Sequence, residues 1–268
     1  MPMYDYHMHT AYSPDSQAPL STMLAHAAAL GLTEIAVTDH IDFTFPGQQR
    51  VTSYGIAARI AAIRQEAAAF PGLSVLVGAE FGLRPDLAEA FAAVARTHPF
   101  DFIIGATHEL GDKDFAWAGH YETTPKQAAY QHFFQNIWES ITAVADWDVL
   151  AHMDYICRYG RYEDRSLHYA DHHETVDAIL RHCIRAGKGI ELNTSGLRYG
   201  VGVHPSLDFV RRYKQLGGEI ITVGSDAHRP QDIASGFAEA GAMLSAAGFR
   251  YVTRFKQRKP FFEKLTTS

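Results

Sequence analysis

Nine residues of the kinds that bind metal ions are distributed along the whole chain. His7 and His9 come first, and Asp226 and His228 repeat their spacing of two near the other end. Residues two apart on an extended strand point to the same side, so each pair can reach one ion. The complete set is His7, His9, Asp15, His40, Glu80, His108, His152, Asp226 and His228. Together these residue types predict a metal centre.

The nine residues are not equally informative. A His-x-His pair alone is a weak signal, because two partly exposed histidines at a strand end have the same spacing, and Asp15 alone is typical of a turn. Glu80 is more informative because it directly follows the apolar run Ser74–Ala79. A charged side chain in that place needs a partner to offset its desolvation. A carboxylate there can bridge two cations.

The number of candidate ligands indicates the kind of centre. Three or four protein ligands hold one catalytic ion, so nine predict two or three divalent ions close together, whereas a structural zinc site stops at four. Nitrogen and oxygen donors without thiolates suit Zn²⁺, Mn²⁺ or Fe²⁺, and the sequence does not choose among them. A water molecule that bridges two such ions ionises near neutral pH and becomes a nucleophile.

Seven short apolar runs place these residues at one edge of the predicted fold. Each run stops at a polar residue, and stretches of helical period separate the runs, so the chain consists of seven βα units. In parallel sheets and barrels, ligands gather at the carboxyl ends of the strands. The runs are Met3–Tyr6, Glu34–Thr38, Ser74–Ala79, Asp101–Thr107, Asp148–Ala151, Gly189–Leu192 and Glu219–Gly224. We therefore predict an α/β fold in which the whole chain builds one site.

Two helix boundaries have clear sequence signals. A helix is predicted over Leu20–Leu30, with Gly31 as its stop. A second is predicted to begin with Thr124 as N-cap and Pro125 as the first helical residue.

Composition favours one soluble domain. The 268 residues, 47% of them hydrophobic, can bury one large core, so we expect a single domain over residues 1–268. The start lacks a basic leader, and no uninterrupted apolar run reaches about 18 residues, which predicts a cytoplasmic protein without a membrane partner. A net charge of −6 argues against nucleic acid as a partner. Cys157 and Cys183 are interpreted as buried apolar residues.

The motifs around the candidate ligands resemble those of a known family. The chain resembles the PHP (polymerase and histidinol phosphatase) superfamily of metal-dependent phosphoesterases over nearly its entire length. The motifs are His7-x-His9, Thr38-Asp39-His40, Glu80, His108, His152 and Gly224-Ser225-Asp226-Ala227-His228. Within the superfamily it is most similar to the monofunctional histidinol-phosphate phosphatases. That narrower similarity includes Asp42-Phe43-x-x-Pro46-Gly47, His152-x-Asp154-Tyr155-x-x-Arg158-Tyr159-Gly160 and Glu191-Leu192-Asn193-Thr194-Ser195-Gly196-Leu197-Arg198.

The resemblance implies a fold and a ligand arrangement. The expected fold is a distorted seven-stranded (β/α) barrel, similar to a TIM barrel, with a trinuclear cluster. By the same analogy His7, His9, Glu80 and Asp226 hold one ion, and Glu80, His108 and His152 hold a second. Asp15, His40 and His228 hold the third.

The resemblance also implies contacts with a small-molecule phosphate monoester. Arg158 and Arg198 are candidate phosphate ligands, since a guanidinium presents a planar fork to phosphate oxygens. Together with His40 they form the expected catalytic set. If the substrate is L-histidinol phosphate, its ammonium and imidazole groups are expected to meet side chains from the loops. These are Phe43, Glu109, Asp112 and Tyr155.

The expected reaction is hydrolysis of histidinol phosphate in histidine biosynthesis. One alternative keeps the metal chemistry but uses another ester, such as a nucleotide, a nucleic-acid end or phosphotyrosine. A second alternative is a binding module in which the cluster only stabilises the fold. The group that protonates the leaving alkoxide stays open among His40, Asp42 and Glu109, and the oligomeric state is likewise open.

Overall fold

The computed structural model describes residues 4–43, 55–110, 113–114 and 118–265. Its strands are β1 (Tyr4–Met8), β2 (Glu34–Val37), β3 (His40–Ile41), β4 (Ser74–Gly82), β5 (Phe102–Ala106), β6 (Glu109–Leu110), β7 (Lys113–Asp114), β8 (Val149–Leu150), β9 (Gly189–Asn193), β10 (Ile221–Gly224), β11 (Tyr251–Lys256) and β12 (Lys259–Lys264). Its helices are α1 (Leu20–Ala29), α2 (Ile56–Ala67), α3 (Ala88–Thr97), α4 (Ala118–Thr123), α5 (Lys126–Ala143), α6 (His173–Arg185), α7 (Leu207–Gln215) and α8 (Phe237–Ala246).

Seven parallel strands form a nearly closed barrel. Their order is β1-β2-β4-β5-β8-β9-β10, and β3 adds a short parallel pair beside β4. The two ends of this order meet just beyond β10. The Asp226 amide donates to the His7 carbonyl at 2.8 Å, and the His9 amide donates to the Ala227 carbonyl at 2.8 Å. The predicted seven-stranded (β/α) barrel is therefore confirmed.

Two apolar clusters support the barrel. The larger lies between the sheet and the covering helices; α6, for example, buries Val176, Ile179, Leu180 and Cys183, a stripe of helical spacing. The smaller includes Tyr6, Phe102 and Phe255 and fills the barrel interior at the end away from the carboxyl ends of the strands. Packing thus occupies one end of the barrel interior and leaves the carboxyl ends of the strands for polar side chains.

An irregularity in β1 places consecutive side chains inside the barrel. The register of β1 against β2 shifts between Asp5 and Met8. Tyr6 packs in the smaller cluster, whereas the next residue, His7, lies 2.6 Å from Glu191 of β9, two strands away around the barrel. A regular strand would send these two neighbours to opposite faces, so the bulge is what brings His7 into the site.

The helix predictions need small corrections. Helix α1 ends at Ala29, one residue before the predicted end, and Gly31 follows with φ +74°, which confirms its role as the stop. Helix α5 begins at Lys126. Pro125, not Thr124, is its N-cap, because the ψ of Pro125 is 144° and its backbone is therefore extended.

Further observations concern the cysteines and the helices. Cys157 and Cys183 are both buried free thiols, as predicted. Among the described residues, no helix combines the length and apolar content that crossing a bilayer requires.

Candidate metal centre

The nine predicted ligands lie at the carboxyl ends of the barrel strands, where they form four overlapping groups. Within each group the donor atoms lie within 4.8 Å of one another. The groups are His7, His9 and Asp226; His7, Glu80 and His152; His40, Glu80 and His108; and His9, Asp15, His40 and His228. Side chains separated by more than 200 residues in sequence therefore converge on one small volume.

Glu80 lies at the centre of the convergence. Its side chain is 1% exposed. Its Oε1 lies 3.2 Å from His108 Nε2 and 3.1 Å from His152 Nε2. Its Oε2 lies 3.2 Å from both His7 Nε2 and His40 Nδ1. Burial alone would raise the pKa of this carboxyl, but the surrounding imidazoles hold it well below its usual value. An ionised carboxylate with imidazoles on both oxygens has the geometry expected of a bridging ligand.

The first histidine pair shows that the donor set fits a cation. His7 Nε2 and His9 Nε2 lie 3.1 Å apart, so they must share either a proton or a metal ion. Burial opposes the charged form of His7, but carboxylates led by Glu191 outweigh it and raise its pKa well above the usual value. Burial and neighbouring imidazoles lower the pKa of His9 to about 4. Glu80 Oε2 lies 3.2 and 3.3 Å from these two nitrogens, and Asp226 Oδ1 lies 3.7 and 3.4 Å from them, so two imidazoles and two carboxylates surround one point, a donor set that fits a divalent cation.

Hydrogen bonds behind the ligands fix which ring nitrogen faces the site. His9 Nδ1 lies 2.9 Å from Ser13 Oγ, which itself donates to Asp39 at 2.8 Å. Because the serine proton is used on Asp39, His9 Nδ1 must donate to Ser13, which leaves His9 Nε2 for an ion. His108 Nδ1 likewise lies 3.0 Å from Asp42 Oδ1. Such outer partners are typical of metal-binding histidines.

The outermost group opens to solvent. Asp15 Oδ2 lies 3.0 Å from His228 Nε2 and 3.6 Å from His40 Nε2, and the Asp15 side chain is 44% exposed. The two imidazoles hold the pKa of Asp15 far below its usual value despite its partial burial. This group joins the cluster to a cavity of about 900 Å³. Besides seven of the candidate ligands, the cavity is lined by Gln17, Ala18, Tyr155, Arg158, Tyr159, Arg198, Tyr199, Arg229, Pro230, Gln231 and Asp232.

Comparison with known proteins assigns the family. A family model described as PHP domain matches residues 5–195. The chain belongs to this PHP domain family. It is similar to the histidinol-phosphatase of Lactococcus lactis subsp. lactis, with 28% identity over 97% of this chain and 96% of that protein. It is also 27% identical to a probable histidinol-phosphatase of Clostridium acetobutylicum, over 98% of this chain and 97% of the relative.

Solved structures agree with the barrel. The crystal structure of histidinol phosphate phosphatase from Lactococcus lactis subsp. lactis, complexed with zinc, L-histidinol and phosphate, matches with a TM-score of 0.88 and 28% identity. That match covers 96% of this chain and 98% of the other. A structure from Listeria monocytogenes matches with a TM-score of 0.77 at 16% identity, over 88% of this chain and 99% of the other, and so shows the shared fold alone.

Arg158 of this PHP domain lies against three aromatic rings at the cavity wall. Its Cζ is 3.5 Å from the ring centroid of Tyr199, 5.2 Å from that of Tyr159 and 5.5 Å from that of Tyr155. Among the described residues, no carboxylate lies within ion-pair distance of Arg158. Ring faces attract a guanidinium without using its N–H groups, so these donors stay available for an anion.

The other predicted substrate contacts are placed differently. Tyr155 lines the cavity, and its ring stacks on His152 with 4.5 Å between centroids. Phe43 instead packs on Phe91 at 4.9 Å, and Glu109 pairs with Arg84 at 2.7 Å. Neither Phe43 nor Glu109 lines the cavity that the described residues form. Asp112 lies outside the described residues.

Sequence reasoning missed Glu191 as a functional residue. Its side chain is fully buried in β9, its Oε1 lies 2.6 Å from His7 Nδ1, and its Oε2 accepts from the His152 amide at 3.2 Å. The signal that could have identified it is a carboxylate in the middle of the apolar run Gly189–Asn193. Burial of such a charge requires a partner.

Proposed function

We propose that this PHP domain is a metal-dependent phosphatase that hydrolyses L-histidinol phosphate to L-histidinol and phosphate. The observation that carries the proposal is the convergence of nine nitrogen and oxygen donors around the buried Glu80, beside a cavity that also contains Arg158. Full-length similarity to proteins named histidinol-phosphatase supports the reaction, and the neighbour crystallised with zinc, L-histidinol and phosphate supports the substrate.

Two or three divalent ions are the proposed cofactors, with zinc favoured by the neighbouring structure. The four overlapping donor groups can hold them: Glu80 is shared by two groups and His9 by two. Ions in such a site would ionise water near neutral pH and neutralise the phosphoryl oxygens. The protein's part is to hold the donors in place, which the hydrogen bonds of His7, His9 and His108 to Glu191, Ser13 and Asp42 accomplish.

Arg158 is the proposed phosphate ligand that the geometry favours. Its guanidinium faces the cavity, carries a permanent charge and lies against the tyrosine rings instead of a carboxylate. Charge-assisted bonds from a guanidinium to phosphate orient the ester and stabilise the charge that develops on its oxygens. Arg198 also lines the cavity and stays a predicted phosphate contact.

The acid that protonates the leaving alkoxide stays a prediction, with His40, Asp42 and Glu109 as its candidates. His40 lines the cavity, whereas Asp42 lies 3.0 Å from His108 and Glu109 lies 2.7 Å from Arg84. A carboxylate that is already bound to a cationic or proton-donating partner is a poor proton donor.

For the organic part of the substrate, Tyr155 offers an aromatic surface against which an imidazole can pack.

A substrate comparison tests the proposal. Metal-stripped protein is supplied with Zn²⁺, Mn²⁺ or Fe²⁺, and phosphate release is measured from L-histidinol phosphate, p-nitrophenyl phosphate and a nucleoside monophosphate. We expect metal-dependent turnover with a strong preference for L-histidinol phosphate. Equal, slow turnover of all three esters would contradict the substrate, and no turnover with any metal would contradict the enzymatic function.

A further inference from the structure

The guanidinium of Arg198 is directed at the backbone of another strand end. Arg198 lies in the turn 195–199 after β9 and borders the cavity. Its Nη1 donates to the Ser225 carbonyl at 2.9 Å and to Ser235 Oγ at 3.0 Å, and its Nη2 donates to the Asp226 carbonyl at 2.9 Å. The forked end of the side chain therefore binds two consecutive carbonyls. Within the part of the chain that the structure describes, Arg158 makes no comparable hydrogen bond, and its guanidinium lies 3.5 Å from the ring centroid of Tyr199.

The segment that Arg198 binds supplies two candidate metal ligands. Asp226 and His228 both come from the four residues after β10. Asp226 has φ +53°, in the left-handed region that a residue with a Cβ adopts only at a cost. Such a conformation persists when surrounding contacts determine it. The two bonds from Arg198 flank this residue, one to its own carbonyl and one to the carbonyl before it.

The same carbonyl also orients His228. The Asp226 carbonyl lies 3.1 Å from His228 Nδ1, so it accepts from both Arg198 and His228. With Nδ1 donating to that carbonyl, His228 Nε2 faces Asp15 Oδ2 at 3.0 Å. One acceptor thus joins Arg198 to two ligands that belong to different donor groups of the metal centre.

A buried carboxylate holds the segment from the opposite side. Asp5 accepts from the Ser225 amide at 2.9 Å, from Ser225 Oγ at 2.5 Å and from the Ala234 amide at 3.0 Å. Asp5 thus binds the amide and the hydroxyl of Ser225, and Arg198 binds the carbonyls of Ser225 and Asp226. Replacement of either Asp5 or Arg198 would release one side of the segment that follows β10.

We propose that Arg198 is a positioning residue for the metal centre, which fixes Asp226 and His228 through the carbonyls of Ser225 and Asp226. This inference rests on the proposed metal-dependent function but assigns Arg198 a task apart from phosphate binding. Outer contacts of this kind change metal affinity by roughly 10- to 100-fold in other metal sites.

Arg198→Lys tests the proposal because it keeps the charge but cannot bridge two carbonyls. Arg198→Met also removes the charge, so a purely electrostatic role predicts tighter metal binding in Arg198→Met and unchanged binding in Arg198→Lys. Ser235→Ala is the matched control, since it removes the peripheral bond and keeps both carbonyl contacts. Arg158→Lys is the control for a cavity arginine without backbone contacts. Each variant is titrated with Zn²⁺ against a competing chelator, and the inhibition constant of inorganic phosphate is measured.

We expect Arg198→Lys and Arg198→Met both to weaken the binding of at least one zinc ion by roughly 10- to 100-fold. Ser235→Ala and Arg158→Lys should keep the wild-type zinc affinity. The metal-free variants should keep the wild-type circular dichroism spectrum and unfold cooperatively, at a somewhat lower temperature because the bonds to the Ser225 and Asp226 carbonyls are lost. A retained fold at the temperature of the titration separates a metal-site effect from a folding defect.

Wild-type zinc affinity in Arg198→Lys, with or without weaker phosphate inhibition, would overturn the positioning role and leave the proposed function intact. Tighter zinc binding in Arg198→Met would overturn it too. A wild-type protein that binds no zinc at all would instead contradict the proposed function itself.

Discussion

His7 Nδ1 lies 2.6 Å from Glu191 Oε1, and both side chains are completely buried inside the barrel. The residues belong to β1 and β9, 184 positions apart in the sequence. The remaining oxygen of Glu191 accepts from the His152 amide and from Asn193 Nδ2, so the carboxylate is saturated with donors. A carboxylate bound to Nδ1 directs Nε2 of the imidazole toward the metal site and makes it a better ligand.

Glu191→Gln should therefore weaken the metal centre without unfolding the barrel. With its oxygen toward His7, the glutamine turns its NH2 group on both the His152 amide and Asn193 Nδ2; with its oxygen toward those two donors, it turns the NH2 group on His7 Nδ1. We expect zinc affinity and kcat/KM to fall by roughly 10- to 100-fold. Chelator competition and steady-state kinetics measure both. Glu139→Gln, on the exposed surface of α5, is the control and should behave as wild type; equal behaviour of the two variants would contradict the role of Glu191.

Glu80→Gln tests whether the cluster is catalytic or only structural. Glu80 faces imidazoles on both oxygens, and an amide can neither carry the negative charge nor bridge two cations through both atoms. A catalytic site should lose turnover by orders of magnitude while circular dichroism shows a retained barrel. A structural cluster would chiefly lose thermal stability, and that result, with turnover retained in the variant, would exclude the proposed mechanism.

The sequence predicted the strand ends well because parallel strands in a barrel place their carboxyl termini at one edge. Glu80, His108 and His152 each follow an apolar run, and this local pattern predicted that they lie at one edge. Their assignment to one ion came from the family resemblance, and the structure places His108 and His152 in different donor groups, both of which contain Glu80. That the candidate ligands form a single site also follows from this meeting of parallel strand ends at one edge of the barrel. The predicted N-cap of α5, Thr124, was wrong by one residue, since Pro125 is the N-cap. Threonine and proline both mark helix starts, but they do not fix the boundary to the exact residue.

Contacts between distant segments could not be predicted from local pattern. The bulge in β1 lets His7 follow Tyr6 into the barrel, and alternation alone gives no sign of it. The pairing of Glu191 with His7 and the direction of the Arg198 guanidinium depend on how β9 and β10 meet β1. A sequence shows that a buried carboxylate needs a partner, but only the closed barrel shows which partner it has.

Gly224→Ala should disturb the closure of the barrel beside the site. A Cβ at Gly224 would collide with Glu191 Oε1 and with His7 Cβ, both held by the pair described above. We expect a loss of about 1–3 kcal/mol in the free energy of unfolding, since packed groups must shift. Denaturant titration of the metal-free protein measures it. At Gly72 an added Cβ meets no atom within 4 Å, so Gly72→Ala is the control and should be close to neutral; equal losses in the two variants would refute the argument.

Metal removal should lower the melting temperature, and added zinc should restore it. A ligand that binds only the folded state stabilises it by about 2.7 kcal/mol at a free concentration 100 times its dissociation constant. Calorimetry of chelator-treated protein with increasing Zn²⁺ measures this effect. Glu80→Gln should show a smaller rise than wild type, because it removes a donor shared by two groups. An unchanged melting temperature at saturating zinc would argue that the donors do not bind the ion.

Arg158→Ala should separate phosphate binding from metal binding. If the guanidinium holds the phosphoryl oxygens, its loss removes a charge-assisted contact of about 1.5–3 kcal/mol. The expected result is a fall in kcat/KM for L-histidinol phosphate of roughly 10- to 100-fold, with a weaker inhibition by inorganic phosphate and an unchanged zinc content. Tyr199→Leu is the matched control, since it removes the ring 3.5 Å from Arg158 Cζ but keeps the charge, and it should cause a smaller loss. Because both side chains line the same cavity wall, an equal loss in both variants would indicate that the wall's shape matters more than the charge of Arg158.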